Sequence, residues 1–175
     1  MTRWFILHGW GGDSTTNWFP WLKAIEEKKG NEVFVPDFPN TEFPTYDAWR
    51  DHWEEFYASK VDKESVLVGH SLGGSFLLRW LSEKEVSVAY LILVAPAPDD
   101  CGIDEVKTFF TDSWKREVLK QNIGKIEILG TDNDPYILLN KFETLAKELE
   151  ATFKICPGKG HLNDVELPEI FYRNN

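Results

Sequence analysis

The chain has 175 residues, 42% of them apolar, and a formal net charge of −10. That length and apolar content fit a single domain over residues 1–175 with a substantial core, and they exclude a disordered chain. The acidic balance argues against nucleic acid as a partner, because phosphate binding needs clustered Lys and Arg.

Residues 2–7 read as a buried strand that runs into the glycine-rich loop His8-Gly9-Trp10-Gly11-Gly12-Asp13. Residues 17–29 read as a helix starting near Thr16-Asn17 and stopped by Gly30, with Lys23, Lys28 and Lys29 as a solvated basic face. A short strand over 32–35 ends at Pro36, and a loop holding Pro39 and Pro44 follows. Trp49, Trp53, Phe56 and Tyr57 give helical spacing over 45–59. A buried strand beginning at Ser65 then meets Gly69-His70-Ser71-Leu72-Gly73, and an apolar helix over 72–83 follows. Residues 89–94 form another strand. It lies in the longest apolar run, around 88–97, which ends in prolines and is too short to span a bilayer. Residues 104–122 are predicted helical and 125–129 extended. The next helix is predicted over 136–150, with Leu138, Phe142, Leu145 and Leu149 on one stripe. A last strand covers 152–156, and a short helix is expected over 167–172. Strands and helices alternate throughout, which is the pattern of a mainly parallel sheet covered on both faces.

Gly69-His70-Ser71-Leu72-Gly73 has the form of a nucleophile elbow, in which a serine sits on a sharp strand-to-helix turn. The pentapeptide alone would arise by chance in roughly 6% of chains this long, so its context carries the argument. A serine hydroxyl needs a base, and the base needs an orienting carboxylate, in the chain order Ser, Asp or Glu, His. Asp132 and Asp134 follow the strand over 125–129, and His161 lies in a glycine-rich loop after the last strand. His161 is also the only one of four histidines downstream of the elbow. Ser71, Asp134 and His161 are therefore the expected catalytic residues, with Asp132 capping the turn. Leu72 N–H and Trp10 N–H are the expected oxyanion-hole donors. His8, His52 and His70 read as anchoring or packing residues. No His/Cys/Asp grouping has metal-ligand spacing, so no metal and no cofactor is expected.

Taken together, these segments resemble the small α/β-hydrolases grouped with retinoblastoma-binding protein 9 and the bacterial YdeN proteins, a family of serine hydrolases. The resemblance covers nearly the whole chain. It rests on His8-Gly9-Trp10-Gly11, on the Trp-rich stretch Ser14-Thr15-Thr16-Asn17-Trp18-Phe19-Pro20-Trp21, and on Pro36-Asp37-Phe38-Pro39-Asn40. It continues through the elbow, Asp134-Pro135 and Gly160-His161. It implies a compact α/β-hydrolase fold with about six mainly parallel strands, helices on both faces and little or no cap domain. It implies the same Ser71, Asp134 and His161 triad. It also places Trp18 and Trp21 either at the site mouth or beneath it, packing the first helix; Trp10 and Trp18 are taken as substrate-pocket residues. The retinoblastoma-pocket motif Leu-x-Cys-x-Glu is absent, so that binding activity is not carried over.

The expected function is hydrolysis of small carboxylic esters through an acyl-enzyme, with a small-molecule ester as the partner and no nucleic acid or membrane. Thioesters and amides suit the same machinery. A non-catalytic binding protein on a hydrolase scaffold is the alternative from another class, and an intact triad argues against it. No signal-peptide cleavage pattern follows the first apolar segment, and Cys101 and Cys156 make no disulfide framework. A reducing cytoplasm is the expected setting.

Overall fold

A computed structural model describes residues 1–84 and 86–171. Six strands form one parallel sheet: β1 (Arg3–Leu7), β2 (Glu32–Phe34), β3 (Val66–His70), β4 (Val88–Val94), β5 (Ile123–Gly130) and β6 (Thr152–Ile155), in the order β2-β1-β3-β4-β5-β6. Five α-helices connect or flank them: α1 (Phe19–Lys28), α2 (Tyr46–Phe56), α3 (Leu72–Lys84), α4 (Arg116–Asn122) and α5 (Leu139–Leu149).

Strand side chains alternate between faces, and the two core clusters follow that alternation. Phe5, Leu7, Leu67, Leu91, Leu93, Ile126 and Ile128 face one side, packed by α2, α3 and α4. Ile6, Val66, Val68, Ile92, Val94 and Leu129 face the other, packed by α1 and by Leu162, Leu167 and Ile170. Because both faces are covered, the strands are apolar on both, as in the parallel sheets of α/β proteins.

Topology places the site. From β1 the chain steps outward to β2, then crosses back to β3 on the other side of β1. The loops after β1 and β3 therefore diverge over a crevice, the switch point where open α/β sheets bind ligands. Those two loops are the glycine-rich segment and the serine elbow.

Several element bounds differ from the sequence expectations. The first helix begins at Phe19 because Asn17 takes a left-handed φ of 51°, which a helix cannot include. The predicted helix over 104–122 splits into a 3-10 segment, Asp104–Phe110, and α4. Arg79 of α3 ties the first piece down, donating to Thr108 O (2.7 Å) and Asp112 (2.7 Å). The helix expected from 136 starts at Leu139, because Asp134 Oδ1 accepts from Tyr136 N–H and Ile137 N–H and holds a turn there. Leu138 consequently lies outside the helix and is 68% exposed, off the stripe. The last short helix is a 3-10 turn, Pro168–Phe171; Tyr172 lies outside the described residues.

Candidate active site

Ser71 has φ 52°, a left-handed conformation that an L-residue keeps only when its surroundings enforce it. The enforcement is visible. Ser71 N–H donates to Val94 O of β4 (2.9 Å), and Ser75 Oγ of α3 donates to Ala97 O (2.7 Å). The two elbow glycines are needed for close approach. A Cβ on Gly69 would lie 2.6 Å from Gly74 Cα and N, and one on Gly73 would lie 2.4 Å from His8 O. The turn thus presses the start of α3 against the end of β1 and leaves Ser71 partly exposed above the sheet.

The glycine-rich loop lies against the serine. Even Gly9 is tight, since a Cβ there would meet Ser71 Cβ at 2.9 Å. His8 fixes this loop. A carbonyl only accepts, so His8 Nδ1 carries the proton donated to Gly9 O (2.8 Å), and Nε2 accepts from Phe38 N–H (3.1 Å). Burial lowers the His8 pKa and favours this neutral tautomer. Gly11 N–H donates to Thr41 O and Gly12 N–H to Gly9 O; among the described residues, no acceptor takes Trp10 N–H or Leu72 N–H. Trp10 and Leu72 both line the cleft with Ser71. The start of α3 adds the partial positive charge of a helix N-terminus beside them.

His161 and Asp134 meet from opposite ends of the β5–α5–β6 unit. Their contact is Nδ1 to Oδ2 at 2.7 Å, with the Asp134 side chain fully buried and that of His161 10% exposed. The Nδ1 contact directs the proton on that nitrogen to the carboxylate and leaves Nε2 as the base nitrogen. Asp132 points elsewhere. Its Oδ1 accepts from Gly158 N–H (2.8 Å) and fastens the loop ahead of His161. Ser71 and His161 line one cleft of about 180 Å³, walled in part by Trp10, Ile103, Val106 and Ile137. Asp99 and Asp100 stand at the same cleft, with Asp99 paired to Lys141 (2.6 Å).

The structure therefore brings Ser71, Asp134, His161, Trp10 and Leu72 together at one end of the sheet. Trp18 needs correction as a pocket residue. It is fully buried and packs on Phe19 at 4.7 Å, and it is not among the cleft-lining residues. An indole is bulky and apolar with one N–H to satisfy, and Trp18 satisfies it in the core, on Leu162 O. Trp21 likewise packs away from the cleft, against Phe171. Sequence reasoning missed Thr131 and Asn133 as supports of the histidine loop, since their partners lie 27 to 29 residues away. It also missed the part of the cleft built by residues 97–106, whose local sequence has no catalytic pattern.

A serine hydrolase family model matches residues 4–166. The chain belongs to the serine hydrolase family. It is similar to the serine hydrolase RBBP9 of Rattus norvegicus, with 25% identity over 166 residues, covering 91% of this chain and 86% of that one. The YdeN protein of Bacillus subtilis (strain 168) is 24% identical over 174 residues, covering 95% and 91%. The crystal structure of the ydeN gene product superposes with a TM-score of 0.90 at 23% identity, over 98% of this chain and 95% of the other. Est1E of Butyrivibrio proteoclasticus, solved with ferulic acid bound, gives 0.73 at 18% identity over 97% and 85%. The fold of this family member is thus an α/β-hydrolase fold on a six-stranded parallel sheet. No helix among the described residues is long and apolar enough to cross a membrane.

Proposed function

We propose that this serine hydrolase cleaves small carboxylic esters through an acyl-enzyme on Ser71. The observation that carries the reading is the His161–Asp134 pair at 2.7 Å, in the cleft that Ser71 enters from a strained elbow. Ser71 Oγ attacks the acyl carbon while His161 Nε2 takes its proton. Asp134 holds the imidazole tautomer and stabilises the imidazolium. Trp10 N–H and Leu72 N–H receive the oxyanion. His161 returns the proton to the leaving alcohol, and water then repeats the sequence on the acyl-enzyme to release the acid. The scheme needs no cofactor.

The cleft supports the substrate class. At about 180 Å³ it is smaller than a typical drug-sized ligand site, favouring short acyl groups. Its apolar wall, with the Asp100 carboxylate beside it and Asp99 already paired to Lys141, favours neutral esters over anionic ones. Trp10, 42% exposed and held by its Nε1–H on Glu42 O (2.9 Å), forms the rim. A reducing cytoplasm belongs to the same reading, supported by free Cys101 and Cys156.

A p-nitrophenyl ester series from acetate to decanoate, run beside a thioester and an anilide of the preferred acyl group, tests this. Highest kcat/KM on the shortest esters is expected. Preference for the thioester or anilide would reassign the enzyme to thioesterase or amidase chemistry, and no turnover of any would favour the binding-protein alternative.

A further inference from the structure

Three consecutive carbonyls in the loop that carries His161 are each held by a side chain from a different part of the fold. Thr131 Oγ1, just past β5, donates to Gly160 O at 2.6 Å. His70, the elbow residue before the serine, has Nε2 at 2.9 Å from His161 O. Trp18 Nε1–H, at the start of α1, donates to Leu162 O at 3.0 Å. On the amide side, Asp132 and Asn133 accept from Gly158 N–H and Gly160 N–H, both at 2.8 Å. The loop needs this restraint. Gly158, Gly160 and Leu162 all have positive φ, and Leu162, at 54°, is an L-residue in a region it avoids. A backbone so arranged persists only where its surroundings over-determine it.

His70 is the member of this set that belongs to the nucleophile's own turn. It is almost fully buried, and its ring lies 5.0 Å from the His161 ring, with Trp18 edge-on at 6.1 Å. Because a carbonyl only accepts, His70 Nε2 must carry the proton. We propose that His70, braced by Trp18, is a positioning residue that couples the serine elbow to the base loop, holding His161 O by its Nε2–H so that the His161 ring meets both Asp134 and Ser71. The inference rests on the triad reading above.

A neutral donor suits this position. His161 becomes cationic when it takes the serine proton, and a lysine or arginine donor about 5 Å away would oppose that charge. Burial first, and then repulsion from His161, push the His70 pKa down to about 3, so it stays neutral beside the imidazolium.

The test compares His70→Phe, which keeps a ring and loses the donor, with His70→Gln, which restores a neutral N–H donor. Steady-state kinetics on p-nitrophenyl acetate, with near-UV circular dichroism to check packing, give the readout. His70→Phe is expected to lower kcat by about 10- to 100-fold at nearly constant KM, as for a misplaced catalytic group, and His70→Gln to recover most of the loss. Trp18→Phe, which removes the adjacent donor, is expected to lower kcat selectively as well. A folded His70→Phe with parental kcat, or a raised KM alone, would overturn the positioning role. If His70→Phe does not fold, parental kcat in Trp18→Phe overturns it instead. A parent enzyme with no turnover that Ser71→Ala or His161→Ala abolishes would refute the triad reading, a separate failure.

Discussion

Acidification from pH 7 to pH 5 is expected to remove about 2 kcal/mol of folding stability through His70 alone. The group is buried neutral, with its pKa pushed down from 6.5 to about 3 in the folded protein. A lowered histidine pKa means that the unfolded chain binds the proton first. The stabilisation is therefore fully present above about pH 6.5 and is lost progressively as pH falls from there toward about 3. At pH 5 the unfolded histidine is protonated and the native one is not. That interval of about 1.5 pH units, at about 1.4 kcal/mol per unit, gives the figure. For a chain of this size it corresponds to a fall in Tm of roughly 4–8 °C. His8, also buried and lowered, contributes in the same direction, so the effect has to be isolated by comparison. Urea unfolding at pH 7 and pH 5, for the parent and for His70→Gln, does this: the variant is expected to lose about 2 kcal/mol less than the parent. Equal losses in the two proteins would refute the claim that burial keeps His70 neutral.

Other predictions concern the site and its supports. Asp134→Asn is expected to lower kcat by about three to four orders of magnitude, by analogy with other triads; Asp132→Asn, which weakens only the tie to Gly158, costs about tenfold or less. Esterase kinetics separate the two, and the reverse order would move the carboxylate role to Asp132. Gly73→Ala drives a Cβ to 2.4 Å from His8 O and 2.8 Å from Leu7 O, both backbone. It is expected to destabilise by roughly 3 kcal/mol or more, and an unchanged urea midpoint would contradict the elbow packing. Cys101 lines the cleft, but burial first and then the nearby Asp99 charge raise its pKa to about 11. At pH 7.5 its thiolate is about 100-fold scarcer than that of an ordinary thiol, so iodoacetamide is expected to leave activity intact over the time that alkylates a free thiol peptide. Rapid inactivation, blocked in Cys101→Ala, would refute this.

The residues that made the fold legible are those whose role is local. Val66, Leu67 and Val68 mark a strand buried on both faces. Gly69 and Gly73 mark the turn that follows, and the strand ends before Asp134 and His161 place those residues on the same rim. Of the two aspartates after β5, Asp134 places its carboxylate on the His161 imidazole and Asp132 on Gly158 N–H. Longer-range facts were beyond local patterns. Trp18 read equally well as pocket or core, because its deciding partner, Leu162 O, is 144 residues away. The break in the helix over 104–122 depends on Arg79, which reaches Thr108 and Asp112 from 29 and 33 residues earlier in the chain. Leu138 fits a helical stripe by spacing, yet Asp134 captures the two amides that would have opened that helix. At Trp18 and across 104–122 the deciding partner lies 29 to 144 residues away, whereas at Leu138 a local turn on Asp134 outcompetes the start of the helix.

Everything proposed for this site depends on Ser71 being the nucleophile. A fluorophosphonate probe incubated with the native protein, followed by peptide mass spectrometry, tests it most directly. One phosphonylated residue is expected, Ser71, with labelling abolished in folded Ser71→Ala and strongly slowed in His161→Ala. Labelling that persists in Ser71→Ala, or a parent protein that the probe does not modify, would contradict it.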